Sequence, residues 1–433
     1  MQVVLAHAAL ILAVMAISFA VGMALKAGNE LSLLIAAFVG ALVNHGGVPV
    51  RHLVEGTFTY FDVVLIFVTA TFFMNLVKES GGITLIVRGI IRKFHHSRFA
   101  ILMLLTLIIL IPGALTGSGT VTVMVVGSFA GIVLGYLDIP RAKAAAIVFL
   151  GASMSAAAPP VNLWAMMTSA GANMPYVGFT VPLAIISVTG ALFTTFYLGW
   201  QGGRHGIDVD KALEEIPEPP GGTAWHHVAV PFAILFGIIG AGRLWPHHMP
   251  VIGLPLAFSL AAVSVIVISP TKLSPRQTLS NTLKNLLPVI STITIVGVLM
   301  QVMTSSGARG LISLSIVTLP LGLLFALLWL VLPISEAIFQ YAAAALLGAP
   351  LVFLFNARGL DLVMAVSGMA TIWPLGDCLP PTAPVGRASV LAVGYDGDYK
   401  HFLAQCIVPA LFIMALGTAY IVFSSKLSFL VRG

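Results

Sequence analysis

Residues 113–131 read "GALTGSGTVTVMVVGSFAG", in the middle of a long apolar tract. Composition sets the solvent in which that stretch must fold. With 59% hydrophobic and 8% charged residues over 433 positions, and a mean hydropathy of +1.05, the chain has too little polar surface to cover a water-soluble globule. Apolar segments of the ~20 residues that a spanning helix needs recur along it with no soluble domain between them. The expected fold is an all-α polytopic membrane protein, one membrane domain over 1–433. In hydrocarbon, backbone without an intrahelical partner costs several kcal/mol unless protein, ligand or water satisfies it. The run Thr116-Gly117-Ser118-Gly119 therefore predicts a re-entrant hairpin, in which 98–116 ends one half-helix and 120–137 starts another. The plainer reading is that Gly and Ser only let helices pack closely.

Working outward from the hairpin, three landmarks recur in one order. "MNLVKESGG" at 74–82 resembles "MQVMTSSGA" at 300–308, each ending an apolar span. Each is followed by a helix pair with a polar tip, Thr116–Gly119 in the first half and Pro333-Ile334-Ser335-Glu336 in the second, the latter between spans 311–333 and 338–356. Each pair is followed by a span broken at two prolines, "AAAPPVN" at 156–162 and "CLPPTAPVGR" at 378–387. The cluster Arg88, Arg92, Lys93 and Arg98 is the densest basic patch, and the positive-inside rule places it in the cytoplasm. Following the spans from there puts the Ser-Gly of the first copy at the cytoplasmic side and that of the second at the outer side. The expected architecture is a pair of inverted repeats, 31–200 and 251–423, joined by a cytoplasmic linker, 201–227. Two re-entrant helical hairpins and two Pro-Pro-broken helices form its centre, an arrangement found in many secondary transporters.

Breaks in membrane helices are candidate sites. Free carbonyls at a half-helix end can hold a cation such as Na⁺, and free N–H groups at the next start can meet an anion. Thr116, Gly117, Ser118 and Gly119, with Pro159 and Asn162 of the neighbouring break, form the first candidate cation site. Ser335, Glu336, Asp377, Pro380 and Thr382 form the second. Thr120, Pro160, Pro381 and Arg387 are the candidates for an anionic substrate. Pro159 stops the incoming half-helix, and Pro160 suits the start of the next. Ionisable groups inside a membrane are expensive and face a cavity or a partner. Arg387 has two readings: a two-pronged partner for a substrate carboxylate, or an internal ion pair with Asp377. Asp377 in turn serves a cation site or a proton relay, or only pairs the arginine. Glu336 is a gate or cation ligand, or a wet hairpin end near the outer face.

Other features exclude more than they assign. The net charge of +6 sits in short loops and reports topology, not nucleic-acid binding. Cys378 and Cys406 lie in apolar surroundings with no C-x-x-C spacing, so neither a disulfide nor a zinc site is expected. No resident cofactor or metal beyond the proposed sodium is indicated. His95-His96, His226-His227 and His247-His248 lie at span ends, where adjacent histidines share no helix face. No Gly-x-Gly-Asp or matched pair of acids points to a membrane-embedded protease. The N-terminus reads as a retained helix, lacking a basic n-region. "GGITLIVRGIIRKFHH" at 81–96 reads as an amphipathic helix on the cytoplasmic leaflet, and Glu214, Glu215 and Glu218 as a solvated loop or a docking element.

Taken in order, the Gly-Ser-type tip at 116–119, the Pro-Pro break at 159–160, the second hairpin with its acidic Glu336 and the break at 380–381 resemble a known family. That family is the large membrane subunit of the tripartite ATP-independent periplasmic (TRAP) transporters, a branch of the ion-transporter superfamily. The likeness runs over about residues 60–420. It implies an elevator mechanism, sodium-coupled symport of an organic acid such as a dicarboxylate, a small four-helix membrane subunit and a soluble substrate-binding protein. It also implies a multi-pass location in the bacterial inner membrane. A stand-alone cation-coupled carboxylate carrier of the same superfamily is the alternative.

Overall fold

The computed structural model describes residues 2–44, 49–200, 209–245, 248, 250 and 252–431. Among them the chain is almost wholly helical with no strand, and nine helices are long and apolar enough to cross a membrane. The all-α polytopic expectation holds. Residues 201–208 of the expected linker, and His247, lie outside the described residues.

Two groups of helices can be distinguished by what they pack against. In the first, Pro275–Ser305 runs along Val50–Phe58, Asn29–Val43 and Phe61–Glu79, and Phe61–Glu79 also packs on Leu254–Ile268. Small residues permit the closest of these approaches: a Cβ on Gly56 would stand 2.6 Å from the Cα of Val298, so only glycine lets the two backbones meet there. Polar side chains fasten Phe61–Glu79 to Pro275–Ser305. Asn75 Nδ2 donates to Thr282 Oγ1 at 2.8 Å, and Thr278 Oγ1 to Glu79 Oε2 at 2.5 Å.

The second group surrounds Arg141–Ala157, a helix with nearly every residue from Ala144 to Ala157 buried. Its run "AAAIVFLGASMSAA" is rich in small side chains, which lets many neighbours close on it, among them both arms of the hairpin Arg98–Thr116 and Gly119–Tyr136, Thr180–Gly199, Tyr399–Val422, Pro384–Val393 and Trp373–Cys378. Arg98, buried, donates from Nε to the Gly199 carbonyl at 3.0 Å and from Nη1 to that of Leu137 at 2.9 Å. A cation on two helix C-termini satisfies carbonyls with no intrahelical donor and complements both dipoles.

One series of elements occurs twice along the chain. Phe61–Glu79 ends at Ser80 and a left-handed Gly81, and Pro275–Ser305 ends at Ser306 and a left-handed Gly307. A short helix follows each, Gly82–Phe94 and Ala308–Val317. Then comes a helical hairpin, Arg98–Thr116 with Gly119–Tyr136 in one case and Leu321–Phe339 with Ala342–Ala357 in the other. A broken helix is next, Arg141–Ala157 with Leu163–Gly171, and Leu362–Ile372 with Pro384–Val393. A long helix closes each series, Thr180–Gly199 and Tyr399–Val422.

Three local expectations need correction. The second hairpin does not turn at Pro333–Glu336: the helix continues through Pro333 to Phe339, and the chain reverses at Gln340, whose φ is +53°. A proline inside a membrane helix is tolerated when neighbours satisfy the freed backbone, so Pro333 was no stop signal. The first break starts its outgoing half at Leu163 with Asn162 as N-cap, not at Pro160. The acidic linker is no free loop. Val209–Glu215 is a helix, held by Arg88 through the carbonyls of Leu213 at 2.9 Å and Ile216 at 2.5 Å, and by Tyr136 Oη donating to Glu215 at 2.8 Å.

Candidate functional site

The first hairpin tip is built by hydroxyls standing in for missing helix bonds. Pro112 interrupts the ladder of Arg98–Thr116. Ser155, from the central helix, fills the gap: it accepts from Gly113 N at 2.8 Å and donates to the Leu110 carbonyl at 2.8 Å. Thr122, on the returning arm, lies 3.1 Å from the same Ser155 hydroxyl. Gly117 then turns in the left-handed region at φ +71°, and Ser118 caps the returning arm by accepting from Val121 N at 3.3 Å. Thr116 Oγ1 donates to the Pro112 carbonyl at 2.7 Å. Further along lies a π-bulge at Val123–Gly127, where the Met124 carbonyl takes the Lys78 ammonium at 2.6 Å.

The tip rests on the first break. Val161 N donates to the Ala114 carbonyl at 3.0 Å, and a Cβ on Gly117 would meet Leu163 at 2.7 Å. Asn162 is largely occupied: its Oδ1 accepts from Ala165 N and its Nδ2 donates to the Ala157 carbonyl, both at 2.8 Å. Among the described residues no hydrogen bond reaches the carbonyls of Thr116, Gly117 or Pro159. These three oxygens, all on predicted cation residues, are open acceptors in that region.

The second break lies against the second hairpin. Gly376 sits where a Cβ would run into the Pro333 carbonyl and stand 2.8 Å from Glu336 Cβ. Thr382 Oγ1 donates to the Ala337 carbonyl at 2.8 Å. The outgoing half begins at Pro384 after Ala383 in the left-handed region, so a proline helix start stands three residues past the Pro-Pro pair. Ser153 Oγ of the first broken helix donates to the Pro374 carbonyl of the second at 3.3 Å.

Where these parts meet, polar groups are buried without conventional partners. Glu336 is wholly buried, with neither carboxylate oxygen hydrogen-bonded. Asp377, 4% exposed, is its acidic neighbour, and Trp164 and Tyr341 stand beside it. The Trp164 Nε1 is buried and unpartnered as well. The rings of Trp164 and Tyr341 pack with centroids 5.0 Å apart, and Tyr341 reaches the Ser118 side chain of the first tip. Among the described residues no Lys, Arg or His forms an ion pair with Glu336 or Asp377. Buried charges elsewhere in proteins are paired or coordinate a cation.

Of the predicted residues, Ser118, Glu336 and Asp377 converge here, with Ser335 beside Glu336 in its helix and Thr382 on the turn of the second break. Pro380, Pro381 and Arg387 are exposed, and Thr120, Pro159 and Pro160 partly so. The reading of Glu336 as a wet hairpin end fails on its burial. The ion pair of Arg387 with Asp377 is also absent: the guanidinium points outward and reaches only the Pro381 carbonyl at 3.4 Å. Arg387 is one turn into its half-helix, and exposure there removes the need for an acidic partner. Trp164, Tyr341 and Ser155 were missed. Their apolar or small-residue surroundings carry no signal of a polar centre, and only the fold brings them together.

No protein-family model and no curated protein matches the chain. Solved structures match its fold. One is MtrF of Neisseria gonorrhoeae, described as illuminating a class of antimetabolite efflux pumps. It aligns with a TM-score of 0.63 and 14% identity over 88% of this chain and 85% of its own. Another is the YdaH transporter of Alcanivorax borkumensis, described as having an unusual topology, with a TM-score of 0.60 and 13% identity over 88% of this chain and 90% of its own. The chain thus has the fold of multi-pass membrane transporters.

Proposed function

We propose that this chain is a secondary active transporter that takes up a small organic anion together with Na⁺ across a bacterial inner membrane. One observation carries the reading: two unpaired acids, Glu336 and Asp377, are buried where both hairpins and both broken helices meet. A hard cation supplies the missing positive charge and prefers carboxylate, hydroxyl and carbonyl oxygen. Glu336 and Asp377, with Ser335, Thr382 and the Pro380 backbone near them, form one sodium site. The carbonyls of Thr116, Gly117 and Pro159, with Ser118, Gly119 and Asn162, form the other. The anion binds toward the half-helix starts at Thr120, Pro160 and Pro381, whose N–H dipoles oppose its charge, and Arg387 offers a two-pronged contact from the exposed side.

The twice-repeated series of elements supports inverted repeats over 31–200 and 251–423. Hairpins and broken helices move as one transport unit past the helices around Pro275–Ser305. The tripartite assembly, with a four-helix membrane subunit and a soluble binding protein, rests on the motif resemblance. A stand-alone carrier is the second reading, and the two matching structures, one described for a class of efflux pumps and one as a transporter, favour it; the first of them also raises outward transport.

Proteoliposomes holding the purified chain, given radiolabelled C4-dicarboxylates and monocarboxylates, test the proposal. Accumulation driven by an inward Na⁺ gradient, and abolished in Glu336→Gln, is expected. Sodium-independent flux, or no flux of any organic acid with or without an added binding protein, would overturn it.

A further inference from the structure

The cytoplasmic end of the first repeat holds a second polar feature, remote from the transport centre. Gly82–Phe94 is amphipathic: Ile83, Val87 and Ile91 face the protein, while Arg92 and Lys93 are exposed. Between this helix and the linker lies a cavity of about 580 Å³ lined by Leu85, Arg88, Arg92, Lys93, Glu218 and Trp225. Arg88 is engaged with linker carbonyls and stands 3.5 Å from Glu218. Arg92 and Lys93 have no ion-pair partner among the described residues. The cavity lies where three candidate spans begin or end, at Glu79, Arg98 and Trp225. Trp225, 56% exposed, packs its indole over Gly89, and an exposed tryptophan in the first turn of a span marks the headgroup level of a bilayer.

We infer that this cavity is a binding site for the phosphate headgroup of an anionic phospholipid, with Arg92 and Lys93 on the phosphate and the acyl chains running down past Trp225 and Leu85. Unpaired cations at headgroup depth attract anionic lipid. The apolar wall favours a tethered lipid over a free phosphate, which would gain nothing from it.

Calorimetric titration of the purified full chain in neutral detergent tests the site, using dioctanoyl phosphatidylglycerol, dioctanoyl phosphatidylcholine and inorganic phosphate as probes. Saturable binding of the phosphatidylglycerol, much tighter than of the other two, is expected. The double variant Arg92→Gln, Lys93→Gln should weaken it about thirtyfold, each basic group near an anionic surface being worth about fivefold. Glu218→Gln should tighten it, because a competing negative charge leaves the cavity wall. Arg276→Gln with Lys284→Gln removes equal charge from exposed positions elsewhere and should leave affinity within about twofold. Equal binding of the two lipids, phosphate binding as tightly as the lipid, or equal losses in both double variants would overturn the assignment.

Discussion

Ser155 shows how much one hydroxyl does in a dry interior. It serves Gly113 N and the Leu110 carbonyl and touches Thr122, so it holds the first hairpin in shape beside the central helix. Ser155→Ala strands a buried donor and a buried acceptor, at about 1–3 kcal/mol. A thermal melt of the purified variant should show a midpoint several degrees below that of the parent; an unchanged midpoint would mean the tip is held by something else. This role could not be read from the sequence, where Ser155 is one small residue in an alanine run. The Gly117-Ser118 turn could be read, because glycine and serine in an apolar tract have few other uses. Glu336 was visible as an oddity, but its burial depends on Gly376 and Trp164, which lie far from it in sequence and carry no charge, and on Tyr341, which the chain reversal at Gln340 sets beside it.

Elements were legible where their punctuation is chemically forced. The first proline pair ends its half-helix as expected, since proline lacks an N–H and crowds the preceding turn; at the second, the α-helix already ends at Ile372 and a 3-10 turn, Trp373–Cys378, runs on to the prolines. The second tip was misplaced because Pro333 carries the same mark without the same effect, while the reversal falls on Gln340, a residue with no preference for positive φ. The linker helix was missed because its anchor, Arg88, lies more than a hundred residues away. Docking of the second break on the second hairpin depends on a bare backbone at Gly376. Gly376→Ala forces a methyl group into the Pro333 carbonyl, an overpacking cost of about 1–3 kcal/mol or more, and membrane yield and melting midpoint should both fall. Gly135→Ala, where nothing stands within 4 Å, should keep both; similar losses at the two glycines would show that the close approach is not what selects Gly376.

At the scale of the whole molecule, polytopic character follows from composition alone, and the doubled series of elements was legible from three short motifs. Orientation rests on charge. Both native cysteines are buried, so introduced thiols can be read cleanly with an impermeant reagent. Cysteines at Val177 and Arg358 should label from outside in intact cells, and one at Lys272 only after the membrane is opened. Outside labelling at Lys272 would reverse the assigned topology.

The central claim is that Glu336 and Asp377 are unpaired because a sodium ion is their partner. Equilibrium binding of ²²Na⁺ to the purified chain tests this without knowledge of the substrate. Saturable binding is expected, displaced by unlabelled Na⁺ but not by choline, and weakened at least about tenfold in both Glu336→Gln and Asp377→Asn, since each removes a charged ligand from a desolvated site. Unchanged ²²Na⁺ affinity in two folded variants would contradict it.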